Sequence, residues 1–407
     1  MKIGYMLTTF PCRSETFAAR EIESLRKLGF DITVFAATAN RYLHRFSEDV
    51  KVLYRPCFFS FDTISSIKYM VLNYPLGLFK LLYLIVKLFG LCPREAVLLI
   101  SNLHAVSFFA RQVDLDNVSH IHAYFLSRPA CIGLALAKIT GRTFSIAAHA
   151  RDIFVERGAI KLKVSNAGFV VACTRQGLEH LKTNLPSEYH KKLYLNYHGV
   201  NTNSENPAFY DGDDCELKSN STVIAAGRLV QKKGFAKLLE AFALVRREIP
   251  SSILMIVGQG PEQKKLNELI EELSLEDCVH LAGWQDHDVT LRLIRQATVL
   301  AAPSIIADDG DRDGIPNVIL EAFAAGTAVI ASNLEGISEV VNDEQTGLLV
   351  EPGDIEKLGC VLKRLLTDSG LRGYLSENAR KVITDKFDSA KNIEILADLF
   401  KNSLDAK

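Results

Sequence analysis

Residues 308–324 read DDGDRDGIPNVILEAFA, and carboxylates at this density suit two chemistries. They could hold a cation, or accept hydroxyl hydrogens beside a helix start that holds an anion. A calcium loop of the EF-hand kind opens D-x-[DN]-x-[DN]-G and closes with a bidentate Glu at its twelfth position. Asp309, Asp311, Asp313 and Gly314 match the opening. The close fails, because the twelfth position is Leu320 and Glu321 comes one residue later, turned about 100° around the helix it begins. Pro316 also sits where such a loop continues in extended form. The anion reading therefore leads: TVLAAP (298–303) reads as a strand, DDGDRDGIP as the loop at its carboxyl end, and NVILEAFAAG as a helix. The first-turn amides and dipole of that helix suit a diphosphate.

Two carboxylates then have different work. Asp313, at the mouth of the loop, can accept sugar hydroxyl hydrogens, and Glu321, further along the helix, can grip a ribose diol. Cations for the phosphate are expected on a neighbouring loop. GRLVQKKGF (227–235) follows the strand-like TVIAAGR and places Arg228 and Lys233 where a strand ends and a helix begins. Arg offers a planar fork and Lys a point charge, together fit to stabilise a diphosphate leaving group. A third group is His149 in HARDIF, at the end of the apolar run FSIAAH, with Asp152 readable as a helix N-cap or as a ligand. His120 and His122 share a strand face, but no third ligand is near in sequence. They read as structural or acceptor-side groups.

These residues need a scaffold. A chain of 407 residues with 48% apolar content has material for two cores. Short β-rich runs alternate with helical ones: KIGYML (2–7), DITVFA (31–36), VSHIHAYF (118–125), FSIAAH (144–149), GFVVACT (168–174) and KLYLNYHG (192–199). After the polar stretch 201–224, read as a linker, the scheme repeats in TVIAAGR, SILMIVG, CVHLAGW, TVLAAP, TAVIAS and GLLVEP. Such alternation implies parallel strands joined by right-handed crossovers, hence two doubly wound halves that bind ligands at the carboxyl ends of their strands, facing a central cleft. The expected division is 1–200, 201–387 and a final helix, 388–407, packing back on the first half. The first helix is expected from Glu15 to Leu28, with Ser14 as N-cap, Gly29 as stop, and Phe17, Ile22, Leu25 and Leu28 on one face.

Charge excludes one class of partner. With 47 basic and 48 acidic residues the net charge is −1, so no general grip on nucleic acid is expected. Eight cysteines stand apart without a C-x-x-C pair, as in a cytoplasmic protein with reduced thiols. The most apolar run is LGLFKLLYLIVKLFGLC (76–92), which Lys80 and Lys87 interrupt; it is too short and charged to span a bilayer. A helix buried in a domain is the favoured reading, and a helix lying in an anionic membrane interface the other.

Taken together, GRLVQKKGFAKLLEAF, VGQGP, DGIPNVILEAFAAG and GISEVVNDEQTGLLVEPGD resemble the successive motifs of family-4 retaining glycosyltransferases of the GT-B fold, an α/β architecture of two Rossmann-like domains. The resemblance implies a donor site in which Asp313 and the amides around Gly314, Ile315, Asn317 and Val318 hold the sugar. By the same likeness Glu321 holds the ribose, Gly227, Arg228 and Lys233 hold the diphosphate, and Gly258 lies near the base. His149 would touch the donor sugar and the forming bond. Family members commonly have Glu where Asp313 stands, and Pro316 offers no N–H, so the donor sugar is left open. TTFPCRSETF, in place of a glycine-rich first loop, looks like enzymes that build exopolysaccharide or O-antigen repeats.

The implied reaction is retaining transfer of a hexosyl group from a nucleotide sugar, UDP-linked by expectation, to a glycan or polyprenyl-diphosphate-linked acceptor. The work would be electrostatic and positional, with no cofactor and no divalent metal. The alternatives are a GT-B-fold nucleotide-sugar epimerase and a calcium-binding interaction module.

Overall fold

The structure, a computed structural model, describes residues 1–12, 15–39, 50–156, 158–201 and 221–405. Each of the expected β-rich runs contains a short parallel strand. In the first half these are β1 (Lys2–Thr9), β2 (Asp31–Thr38), β3 (Lys51–Tyr54), β4 (His120–Tyr124), β5 (Thr143–Ala148), β6 (Phe169–Ala172) and β7 (Leu193–Leu195). In the second they are β8 (Thr222–Ala226), β9 (Ile253–Val257), β10 (Val279–Gly283), β11 (Val299–Ala302), β12 (Ala328–Ser332) and β13 (Leu348–Val350). The first-half helices are α1 (Thr16–Lys27), α2 (Phe61–Asn73), α3 (Pro75–Leu91), α4 (Pro93–Ser101), α5 (Leu103–Leu115), α6 (Arg128–Thr140), α7 (Ala150–Phe154), α8 (Ile160–Asn166) and α9 (Arg175–Asn184). Then come α10 (Phe235–Glu248), α11 (Gln263–Glu272), α12 (His287–Gln296), α13 (Asn317–Ala325), α14 (Ile355–Thr367), α15 (Ser369–Lys386) and α16 (Ser389–Asp405).

The chain divides into one unit of Met1–Asn196 with Ile393–Lys407 and a second of Tyr197–Asn392. The first sheet runs β3-β2-β1-β4-β5-β6-β7 and the second β10-β9-β8-β11-β12-β13, every pairing parallel. Both are doubly wound. In each, the strand order reverses beside the first strand, which opens a crevice at the carboxyl ends of β1 and β4 and of β8 and β11. Central strands are covered on both faces, which is why β4, β11 and β12 are buried along their whole length. Two of those buried residues, His120 and His122, share one hydroxyl: Ser145 Oγ lies 2.6 Å from His120 Nε2 and 2.7 Å from His122 Nδ1, while His122 Nε2 is buried without a partner among the described residues.

In α16, Ile393, Leu396, Ala397 and Phe400 recur at helical spacing and join the core of the first unit beside Tyr5, Phe30 and Phe169. α1 runs Thr16–Lys27 and buries Ala18, Ala19, Ile22 and Leu25. Leu28 is its C-cap and 46% exposed, which corrects the expectation that it shares the buried face. Gly29 follows with φ +86°, the left-handed stop that glycine supplies cheaply. The Ser14 cap and most of the 201–224 linker fall outside the described residues.

The stretch between β3 and β4 departs most from the sequence reading. Four helices, α2 to α5, occupy it, and β3 itself had no counterpart among the expected strands. α3 is not a buried helix. Gly77, Leu81, Leu84 and Leu88 face inward, while Leu76, Phe79, Leu82, Tyr83, Val86 and Phe89 are exposed along with Lys80 and Lys87. A run that is apolar all round cannot by its periodicity disclose which side is covered. Among the described residues, no single helix is long and apolar enough to cross a membrane.

Candidate active site

The crevice of the second unit gathers the sequence-predicted residues from three loops. The first loop leaves β8 at Gly227, makes a short 3₁₀ turn over Gln231–Lys233, and enters α10 through Gly234. Its glycines are required by contact. A Cβ on Gly234 would lie 1.9 Å from Pro303 O, and one on Gly258, at φ +149°, would lie 1.8 Å from Gly227 O. Backbone hydrogen bonds complete the seam, from Gly227 N to Val257 O at 2.9 Å and from Leu229 N to Gln259 O at 3.0 Å. The loops after β8, β9 and β11 are thereby locked together, with their polar groups at the carboxyl ends of the strands.

The third of these loops carries the acidic cluster. Asp309 accepts from the Asp311 amide at 2.9 Å, and Lys232 donates to Asp311 at 3.1 Å. Asp313 is buried and lies 2.7 Å from Lys233 Nζ and 3.5 Å from Lys232 Nζ, with the Ser304 hydroxyl donating to it at 2.7 Å. Burial acts to raise the Asp313 pKa, but the Lys233 and Lys232 charges and the hydrogen bonds outweigh it and hold the carboxyl below its ordinary range. Asp313 is thus an ionised acceptor, suited to hydroxyl donors. The carboxylates that matched the opening of a calcium loop are engaged by ammonium groups and a backbone amide.

Gly314 and Ile315 lead through Pro316 into α13, whose start has no capping side chain. Asn317 and Val318 form its first turn, so their amides belong to the group that has no intrahelical acceptor. The Gly314 backbone meets the loop after β12 closely: a Cβ on Gly336 would lie 2.8 Å from Gly314 O. Glu321 is buried two positions past Ile319, with His287 Nδ1 of α12 at 3.8 Å from its Oε1. Arg228 is exposed.

The structure therefore brings Lys233 and Asp313 into direct contact, adds Lys232, Asp311 and Ser304 to them, and sets His287 beside Glu321. Sequence reasoning missed Lys232, Ser304 and His287, and read Asp311 only against a calcium loop. The doubled lysine in QKKG was the available signal for Lys232; nothing in the local pattern marks Ser304 or His287.

His149 belongs to the first unit. It precedes α7, its ring lies among Phe17, Tyr124 and Phe125 at centroid distances of 5.5, 5.2 and 4.7 Å, and it is half-buried. Asp152 is a brace for this turn, accepting from the amides of His149 and Leu126, each at 3.2 Å. Burial pushes its carboxyl up to about 6 against the lowering effect of those bonds. Behind the aromatic ring set, Glu21 accepts from the hydroxyls of Tyr5 at 2.9 Å and Tyr124 at 3.0 Å, and burial pushes it up to about 7.

Residues 216–382 match the family described as glycosyl transferases group 1. The chain is 33% identical over 178 residues to the lipopolysaccharide core biosynthesis glycosyltransferase LpsD of Rhizobium meliloti, covering 44% of this chain and 48% of that one. It is 33% identical over 143 residues to the amylovoran biosynthesis glycosyltransferase AmsK of Erwinia amylovora, covering 35% of each. The matches thus span about half the length, or less, of these curated relatives. Among solved structures, Anabaena HepE in complex with UDP and glucose superposes with a TM-score of 0.71 at 18% identity, covering 99% of this chain and all of that one.

Proposed function

We infer, from the match of residues 216–382 to glycosyl transferases group 1 and from two parallel-sheet units of the GT-B fold, that the chain is a glycosyltransferase. We propose that the protein is a retaining glycosyltransferase that moves a hexosyl group from a UDP-sugar to a lipid-linked polysaccharide acceptor without a divalent metal. The observation that carries this is the pairing of buried Asp313 with Lys233 and Lys232 beside the uncapped start of α13. One strand-end crevice then holds cations for a diphosphate and an ionised acceptor for sugar hydroxyls. Arg228 and Lys233 stabilise the charge that grows on the leaving phosphate, with the first amides of α13. Asp313 orients the sugar, Glu321 binds the ribose, and Gly258 lies near the base. His149 supplies the group that the family resemblance assigns to the donor sugar. The departing phosphate, close to the acceptor hydroxyl, takes its proton as an oxocarbenium-like centre develops, which gives retention by front-face attack.

The acceptor class rests on the polysaccharide and lipopolysaccharide relatives and on the exposed apolar side chains of α2, α3 and α4. Phe61, Ile64, Leu72, Phe79, Val86 and Val97 are among them, with Lys68, Lys80, Lys87 and Arg94 interspersed and exposed. Such a surface fits peripheral contact with an anionic bilayer at the cytoplasmic face.

The test is transfer from UDP-sugars to a soluble acceptor analogue in EDTA. Wild type should give a product of retained anomeric configuration, and Arg228→Ala and Lys233→Ala should each lower turnover roughly 100-fold or more. Transfer that requires added metal, or near-normal turnover by both variants at saturating donor, would overturn the reading.

A further inference from the structure

The first unit contains a cavity of about 550 Å³ that the transfer reaction does not use. Its inner wall is formed by Ile153, Leu162, Leu181 and Leu185, all buried, and Lys87 and Lys161 stand exposed at its rim. The volume lies within the range of small-molecule sites, and a lining that is mostly apolar, with Ser165, His180, Asn184 and Tyr189 as its polar members, suits hydrocarbon that ends in a polar group. Cations at the rim call for an anionic head. Lys138 on α6 adds to this: burial first, then the nearby charges of Lys80 and Lys87, lowers its pKa, so positive charge is concentrated along this side of α3.

α3 links the cavity to the apolar surface. It contributes Lys87 to the rim, while Phe79, Tyr83, Val86 and Phe89 of the same helix are exposed. Leu91 at the end of α3 is also exposed and lines the cavity as well. We infer that this cavity binds the chain of a phosphate-headed lipid, with Lys87 and Lys161 on the phosphate, and so anchors the acceptor. The inference rests on the lipid-linked acceptor of the proposed function and deepens it.

Floor and gate are built differently, which makes the test discriminating. Ser165, half-buried on α8, faces the same cavity, so Ser165→Phe would fill it from a helical position without removing a core side chain. Lys87→Glu with Lys161→Glu would reverse the rim and leave the interior intact. The probe is farnesyl phosphate, titrated into the full chain below its micellar concentration and followed by calorimetry, with farnesol and inorganic phosphate as controls. Wild type should bind farnesyl phosphate saturably at one site; Ser165→Phe and the rim double variant should each weaken it roughly tenfold or more. Farnesol should bind wild type and rim variant alike, and inorganic phosphate should not compete.

Equal binding by wild type and both variants, non-saturable uptake, or full competition by inorganic phosphate would overturn the inference. Liposomes of anionic phospholipid separate the sources of such a chain: if they abolish farnesyl phosphate binding, the cavity takes bulk lipid and the acceptor assignment falls. Transfer to a soluble acceptor, measured on the same preparations, reports separately on the proposed function. An unchanged far-ultraviolet circular dichroism spectrum and unfolding transition show that each variant is folded.

Discussion

Lys163 in the first unit and Asp313 in the second are both buried charges, and the way each is compensated separates architecture from chemistry. Lys163 on α8 pairs with Glu95 on α4 and donates to the carbonyls of Leu126, Gly158 and Ser127 at 2.9, 3.0 and 3.2 Å. An ammonium has three hydrogens, so this one is saturated within the protein. Asp313 is balanced by two lysines whose side chains keep 12% and 16% of their surface in solvent. Those cations can be recruited by an incoming anion. A charge consumed entirely by its own fold holds elements together; a charge whose partners stand at a rim can exchange them.

The largest effect expected from this contrast is on folding. Lys163→Met leaves the Glu95 carboxylate and several carbonyls without their donor, and should cost about 3–5 kcal/mol in denaturant unfolding of the full chain. UDP binding by the folded fraction should stay normal. A stability close to wild type would dissolve the distinction. Next comes Asp313→Asn, which should lower turnover about 100-fold while shifting the melting temperature less than Lys163→Met does. If instead it unfolds the protein and the surviving fraction turns over normally, the second unit's charge is architectural too.

The smallest effect concerns pH. Glu21 has a folded value of about 7 against an ordinary 4.5, so the fold favours its protonated form. That stabilisation is complete below the ordinary value and fades as pH rises through about 7. Glu21→Gln should remove the fade, gaining roughly 1–2 kcal/mol over wild type at pH 8 and little at pH 5. Parallel stability profiles for the two proteins would show that the tyrosine-bound carboxyl does not titrate with folding.

The two units also differed in what could be read beforehand. In the second, strand-end glycines, a basic turn and a helix opened by Asn317 announce themselves locally, because close backbone approach and anion binding demand particular residue types at fixed offsets. Lys233 and Asp313 were named from such offsets; that they touch was not, since 80 residues separate them and only the parallel crossover order places β11 beside β8. The first unit gave less. Tyr5, Glu21 and Tyr124 form one hydrogen-bonded set from three distant segments, and no spacing connects them. The α3 run was misjudged because uniform apolarity carries no direction: Leu81 and Leu82 look alike in sequence, yet one is 5% exposed and the other 59%. Asp152 reads in sequence as an N-cap or a ligand, whereas the N-cap of α7 is His149 and Asp152, at the third helical position, accepts from the His149 amide.

The contact between Gly227 and Gly258 bears on how such a domain can be re-engineered. With less than 2 Å between the carbonyl oxygen of one and any Cβ on the other, neither loop has a shape of its own. They are inherited as a pair. A chimera that imports residues 227–234 from a relative to alter donor preference, but keeps the resident 258–262, would join halves fitted to different partners. Because Gly234 in turn meets Pro303 O, the transplantable unit is the loops after β8, β9 and β11 together, and a library that varies them jointly would sample more folded members than one that varies any of them alone.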